Sequence, residues 1–369
     1  MDQRIGNLTH QLIRHAVALQ AGEKILLDLF DGADDFGVAL LQETYAAGGI
    51  PFLNQESTAC KRAWLMGLTE PQAEMWYQHE VSRMRQMDAY IAIRKQLNPN
   101  ELADVPEDRL LIHNRVHGLL HLEERCRNTR WCVLGYPSPS MAQQAGMSTE
   151  AFEDYYFRVC GLDYAKLSSC MTPLKSLMDR TNQVEVTAKG THLTFSMADC
   201  ASGICDGHAN IPDGEVCTSV VQESVNGTIT YNIPSNYQGF LFTDISLTFR
   251  DGKVVEATSN NTGKLNGILD LDEGARYVGE FAIGVNPYVN RAIGNTLFDE
   301  KMAGSIHLAT GFGGKRPSVI HWDMIQCHTP DFGGGEIRFD GRLIRKDGLF
   351  VVEELAALNP LELHKVLQE

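Results

Sequence analysis

The segment EKILLDLFDGADDFGVALLQETYAAGGIPFLNQ, residues 23–55, decides the fold of the first half of the chain. Glu23 to Phe30 is an almost continuous apolar run of strand length, the composition of a strand buried on both faces. DFGVALLQETYAAGG then has helical spacing and a Gly-Gly stop, and IPFLNQ reads as a second strand. Outward from there, MDQRIGNLTHQLIRHAVALQAGEK predicts an amphipathic opening helix, and the stretch from Lys61 to Met87 predicts one or two more. AYIAIRK and RWCVLGYP supply two further strands, and MSTEAFEDYYFRVC a helix capped by Ser148 or Thr149. Strands alternating with helices predict a doubly wound, mostly parallel sheet. Neither G-x-G-x-x-G nor G-x-x-x-x-G-K-[ST] follows any of these strands, so no nucleotide site is indicated.

Beyond about Thr181 the texture changes. QVEVTAKGTHLTFSMAD, GTITYNIPS, ISLTFRDGKVVEATS and GEIRFDGRLIRKDGLFV are β-rich, with Asp251-Gly252 and Asp340-Gly341 where hairpin turns belong. Internal repeats and low-complexity tracts are absent. The expected organisation is an α/β domain over residues 1–184 and a mainly antiparallel β domain over 185–369.

The chain has 369 residues, enough for two cores. Its 32 basic and 47 acidic residues give a net charge of −15, which disfavours nucleic acid and anionic membranes as partners. The N-terminus lacks the charged segment and apolar core of a secretion signal, and no run approaches the roughly 18 apolar residues of a membrane span. The nine cysteines are odd in number and scattered, with no C-x-x-C pair. That pattern suits reduced thiols, and so a cytoplasmic location, better than a disulfide framework or a thiolate zinc site.

Chemistry-bearing residues concentrate in the second half. In SVIHWDMIQCH, residues 318–328, strand periodicity puts His321 and Asp323 on one face together with Val319, while Ile320, Trp322 and Met324 take the other. An isolated pair of this kind is ordinarily a structural His–Asp network. NIPDGEVCTS with Glu215, DEGARYVGEFAIGVNP with Glu280 and GNTLFDEKMAGSIHLATG with His307 add further potential ligands. Taken singly, the two glutamates read as solvated carboxylates after turns and His307 as a core histidine. Together the five offer two imidazoles and three carboxylates, a donor set suited to zinc, cobalt, manganese or iron. Two cations about 3.5–4 Å apart need one shared carboxylate and further ligands on each ion, and five groups suffice.

The segments N-I-P-D-G-E-V, E-G-A-R-Y-V-G-E, N-T-L-F-D-E-K-M-A-G-S-I-H and S-V-I-H-W-D resemble those of the aminopeptidase T and aminopeptidase S family of dinuclear metalloaminopeptidases, also called thermophilic metalloproteases. MAQQAGMSTEAFEDYYFRVCGLDY and GGGEIRFDGRLIRKDGLFV resemble the bacterial branch of similar length, so the likeness runs through the whole chain. The resemblance implies a cytoplasmic exopeptidase that releases N-terminal residues from a peptide substrate, working as a homodimer around an internal cavity. It implies two divalent metal ions, Zn²⁺, Co²⁺ or Mn²⁺, on Glu215, Glu280, His307, His321 and Asp323.

One departure bears on activity. The family's oxyanion-stabilising tyrosine would fall at Gly314, and residues 308–320 form a shorter segment than in relatives. No tyrosine lies between His307 and His321; Lys315 and Arg316 offer positive charge there, or are exposed solubilising residues, and Tyr231, Tyr237, Tyr277 and Tyr288 lie elsewhere. Two other readings follow. The chain also resembles the ring-cleaving 2,5-dihydroxypyridine 5,6-dioxygenase, which would imply one Fe²⁺ on His307, His321 and Asp323 and no use for Glu215 and Glu280. A catalytically impaired, peptide-binding relative is the third.

Overall fold

The computed structural model describes residues 2–237 and 239–368. The chain divides into two compact units, residues 1–161 with 207–212 and residues 162–206 with 213–369.

The first unit is built on a parallel sheet. Strands β1 (Lys24–Phe30), β2 (Ile50–Glu56), β3 (Ala89–Lys95) and β4 (Arg130–Tyr136) stand in the order β2-β1-β3-β4, followed by the short strand Asn210–Ile211. All neighbours run parallel. The continuous apolar run of β1 has its cause in two helical layers. Leu26, Tyr90 and Ala92 pack with Val81, Met84 and Leu120 on one side. Ile25, Leu27 and Leu29 are buried on the other, where Leu29 lies so close to the helix Asp34–Ala46 that a Cβ on Gly37 would overlap it. Both faces are therefore covered, as parallel sheets require. The expected doubly wound α/β unit is present. Ser148 Oγ caps the helix Thr149–Cys160 by accepting from the Ala151 amide at 3.2 Å.

The second unit is antiparallel. Eight strands form one sheet in the order Lys253–Thr258, Ser246–Arg250, Asn226–Thr230, Thr191–Ser196, Gln183–Ala188, Gly335–Phe339, Arg342–Lys346, Leu349–Phe350. Five form another, in the order His321–Cys327, Ser305–Gly311, Val278–Gly284, Glu215–Thr218, Ser202–Cys205. Phe195 of the first meets Phe281 of the second with ring centroids 4.9 Å apart, which places the common core between the sheets. Asp251-Gly252 and Asp340-Gly341 turn their hairpins with positive φ at both residues, the geometry that two-residue loops favour.

Among the helices that the sequence reading did not identify, two are long. Glu107–Leu119 has little apolar periodicity, and Tyr164–Asp179 carries Pro173 inside it, which reads as a breaker. The second of these belongs to the second unit, so contacts divide the chain at Gly161, earlier than the change of texture near residue 185. No helix among the described residues is long and apolar enough to cross a membrane.

Candidate metal centre

The five-stranded sheet brings separated residues to one floor. Across its ladders Gly284 faces Glu215, Ala282 faces His307, Glu280 faces Ala309, Ala309 faces Asp323 and Gly311 faces His321. Directly opposed residues share a face, and residues two apart on a strand share it too, so Glu215, Glu280, His307, His321 and Asp323 all project from the same side. The positions between them on that face, Ala282, Gly284, Ala309 and Gly311, are small, and Gly284 lets the Glu300 and Met302 carbonyls and Ser305 approach closely, a contact any Cβ there would block. Trp322 and Met324 project oppositely and are buried, as expected, with Trp322 stacked on Tyr237 and donating to Ser235 Oγ at 2.8 Å. Val319 is a correction. The strand begins at His321, and Val319 lies in the exposed approach to it, its amide donating to Asp272.

The side chains converge as the register requires. Ligand atoms of Glu215, Glu280 and His307 lie within 4.8 Å of one another, and so do those of Glu280, His321 and Asp323. The two triples share Glu280. A third, Glu300 with His307 and Asp323, joins them from the turn after Asp299. His307 Nε2 stands 3.3 Å from Glu280 and 3.7 Å from Asp323, while its Nδ1 faces Glu215 Oε2 at 3.6 Å. His321 Nε2 is 3.1 Å from Asp323 Oδ1. Its Nδ1 lies 3.0 Å from the Phe312 carbonyl, which can only accept, so Nδ1 carries a proton and Nε2 is the nitrogen that a cation displacing its own proton would take as ligand. The site has a closed end and an open end: Glu215 and His307 are buried, whereas Glu280, Asp323 and His321 are partly open to solvent.

Charge at the site is lopsided. Burial opposes a charge on His307, yet Glu215, Glu280 and Asp323 outweigh it and push the imidazole up to about 10. His321 is likewise raised to about 9, against burial, by Asp323 and Glu280. Burial works against the Asp323 carboxylate, but the two imidazoles pull it down to about 2. Protons on histidine here stand where cation charge would otherwise sit. At this site, among the described residues, Glu215 Oε2, His307 Nδ1 and Asp323 Oδ1 are buried without a hydrogen-bond partner. Orphaned acceptors inside a cluster of excess carboxylates are what a divalent cation requires, and the donor set fits zinc-like ions.

The sequence reading missed Lys301, Glu300 and Asp213. Lys301 is buried and its ammonium contacts Glu215 Oε1 at 2.5 Å, Glu300 at 2.8 Å and Asp213 at 3.6 Å. Burial disfavours its charge, but these carboxylates hold it well above the usual lysine range. The lysine occupies one oxygen of Glu215 and leaves the other facing the cluster. The motif FDEKMAG was on the page, but nothing in its spacing reveals a lysine that faces inward.

Gly314 lies against Gln222, and a Cβ at that position would overlap the Gln222 side-chain amide. That amide donates to the Val278 carbonyl and accepts from Arg316, whose guanidinium lies 4.0 Å over the Tyr277 ring and pairs with Glu223. Gln222 therefore fills the space into which a tyrosine at 314 would grow. Arg316 is pinned by these partners, and Lys315 is exposed. Of the other tyrosines, Tyr231 is buried in the core and Tyr288 packs on His364. The Tyr237 phenol is raised by burial and then by the field of Asp323, so it stays protonated.

Residues 1–334 match the profile of the family described as thermophilic metalloprotease (M29). The chain is 27% identical over 304 residues to aminopeptidase 2 of Geobacillus stearothermophilus, covering 68% of this chain and 71% of that one. It is 35% identical over 154 residues to aminopeptidase T of Thermus aquaticus, 36% of each chain. The solved structure of wild-type AmpT from Thermus thermophilus superposes with a TM-score of 0.80 at 19% identity, covering 95% of this chain and 99% of that one. At that identity the superposition speaks to the fold, which it shares from end to end.

Proposed function

The chain belongs to the thermophilic metalloprotease family (M29), and from that premise we propose that it is an aminopeptidase whose Glu215, Glu280, His307, His321 and Asp323 hold two divalent cations, Zn²⁺, Co²⁺ or Mn²⁺. The observation that carries this reading is the sharing of Glu280 between two triples of ligand atoms. A carboxylate common to two adjacent ligand sets is the arrangement a cation pair needs. His307 and His321 fall in different triples, which favours two ions over a single iron on His307, His321 and Asp323.

Divalent cations in such a site acidify water and polarise a peptide carbonyl. The protein's own groups prepare the rest. Lys301 anchors Glu215 at the closed end, and the Phe312 carbonyl orients His321 at the open end. A carboxylate paired with a lysine and an imidazole fixed in one tautomer are the kind of outer support that keeps ligands in place. The carboxylates Glu280 and Asp323 face the side from which substrate enters and favour a free α-amino group there over a blocked one. The reading includes a cytoplasmic homodimer, following the resemblance; the nine cysteines are free thiols, as a reducing compartment would keep them.

Leucyl p-nitroanilide and its N-acetylated form, each supplied with Zn²⁺, Co²⁺ or Mn²⁺, test the proposal. The account predicts release of p-nitroaniline from the free-amino substrate alone, lost in Glu215→Ala. Activity that survives in Glu215→Ala, or no activity with any of the three metals, contradicts it.

A further inference from the structure

The first unit contains a cavity of about 820 Å³, within the range of small-molecule sites, with no residue of the metal centre in its lining. We propose that it binds a small planar organic anion, with a carboxylate or phosphate held by Lys61, Arg94 and Arg125. β2 and β3 pair with opposite edges of β1, so the winding reverses direction between β1 and β3. In open α/β sheets ligands bind outside the carboxyl ends of the strands at such a switch point. The cavity is lined there, by Phe30 and Asp31 ending β1, Gln55 and Glu56 ending β2, and Arg94 and Lys95 ending β3.

Four basic and five acidic side chains line the cavity, and its positive charge is gathered where Lys61, Arg94 and Arg125 act on one another. Asp28 is buried and accepts from the Tyr90 hydroxyl at 2.9 Å and Asn54 at 2.6 Å; Glu56 accepts from Asn54 at 3.1 Å. Opposite these two carboxylates stand three cations. Arg125 is buried, 4.0 Å from Asp28 and 4.2 Å over the Tyr90 ring, with its Nε left without a partner. Arg94 lies over Phe30, and among the described residues neither Arg94 nor Lys61 has a side-chain hydrogen bond or ion pair. Of the remaining acids of the lining, Glu80 pairs with the cation Arg83, whereas Asp31 and Glu101 keep their charge and accept from the neutral donors Thr58 and Asn98. Burial lowers the Lys61 ammonium from the usual lysine range, against the field of Glu56 and with that of Arg94 and Arg125. An anionic group placed among the three cations would relieve their mutual repulsion.

The walls select a flat body. Trp64 and Trp76 lie with centroids 5.9 Å apart, and His113 and His117 stack at 5.3 Å. Burial, followed by the charge of Lys61, lowers these imidazoles to about 4 and about 2, so they line the site as neutral rings. His113 Nε2 is a further buried atom without a partner. Arg125 comes from the π-helical turn Leu120–Cys126, a distortion that recurs at functional sites because it re-aims side chains.

Calorimetric titration of the full chain with indole-3-acetate, phenyl phosphate and the neutral indole-3-acetamide tests the site. Saturable binding of either anion, with the amide at least about tenfold weaker, supports it; which anion binds identifies the head group. Lys61→Met and Arg94→Gln are each expected to weaken the anion about tenfold or more. Lys61→Met removes a half-buried charge that makes no side-chain hydrogen bond or ion pair among the described residues, so its melting temperature should stay close to that of the parent or exceed it. Failure of both anions to bind up to about 10 mM, equal affinity for acid and amide, or unaltered binding in both variants overturns the proposal. A sharply lower melting temperature in Lys61→Met would also overturn it, because the lysine would then have a partner within the fold.

Discussion

Glu280→Gln is expected to lower aminopeptidase activity by about 10³-fold while leaving the fold intact. The substitution keeps the shape of the side chain and removes one negative charge from the residue shared by the Glu215–His307 and the His321–Asp323 triples. A carboxylate can offer an anionic oxygen to each of two cations; an amide offers one neutral oxygen and a nitrogen that cannot ligate. Losing charge stabilisation of about 4 kcal/mol at the reacting carbonyl corresponds to the stated factor. Stability should fall only slightly: burial opposes the Glu280 charge, but His307 holds its carboxyl below the usual range, so the charge helps the fold modestly at this partly exposed position. Steady-state kinetics with saturating metal, beside a melting curve, checks both halves. Activity within tenfold of the parent would mean that Glu280 is a bystander.

Lys301→Met should cost stability instead. The lysine is the buried counter-charge to Glu215, Glu300 and Asp213, and breaking a buried ion network leaves carboxylates in a low-dielectric interior. Such losses run at roughly 3–5 kcal/mol, a drop of about 10 °C in melting temperature for a unit of this size. Burial already raises Glu300 to about 7 even with the lysine present, which shows how little spare positive charge the pocket holds. Cations bound to the cluster would take over part of the compensation, so the drop should be larger in chelator than with zinc. Calorimetric or fluorescence melting in both conditions measures it. Equal melting temperatures for variant and parent in chelator would remove Lys301 from this role.

Periodicity and turn chemistry were legible in the sequence; inward-facing charge was not. A strand such as Glu23 to Phe30 announces itself because both of its faces must be apolar, and Asp251-Gly252 because two consecutive positive φ angles tolerate few other residues. His321 and Asp323 were placed on a common face by the two-residue repeat alone, and the ladder from Ala309 to Asp323 bears that out. Convergence of Glu215 and Glu280 onto the same floor depends on strand order, which no local pattern carries; it entered through family likeness. Val319 failed because alternation says nothing about where a strand starts. Lys301 failed for a related reason: a lysine beside Glu300 looks solvated until tertiary structure supplies Glu215 and Asp213 around it. Gln222 behind Gly314 is a third case, a space filled from a residue distant in sequence.

Counting metal tests the central claim most directly. The chain, purified without chelator and equilibrated with zinc before removal of excess, is expected to retain two ions per chain by elemental analysis, falling to one or none in Glu280→Gln. A single iron per chain after anaerobic preparation, or full metal content in the variant, would contradict a cation pair bridged by Glu280.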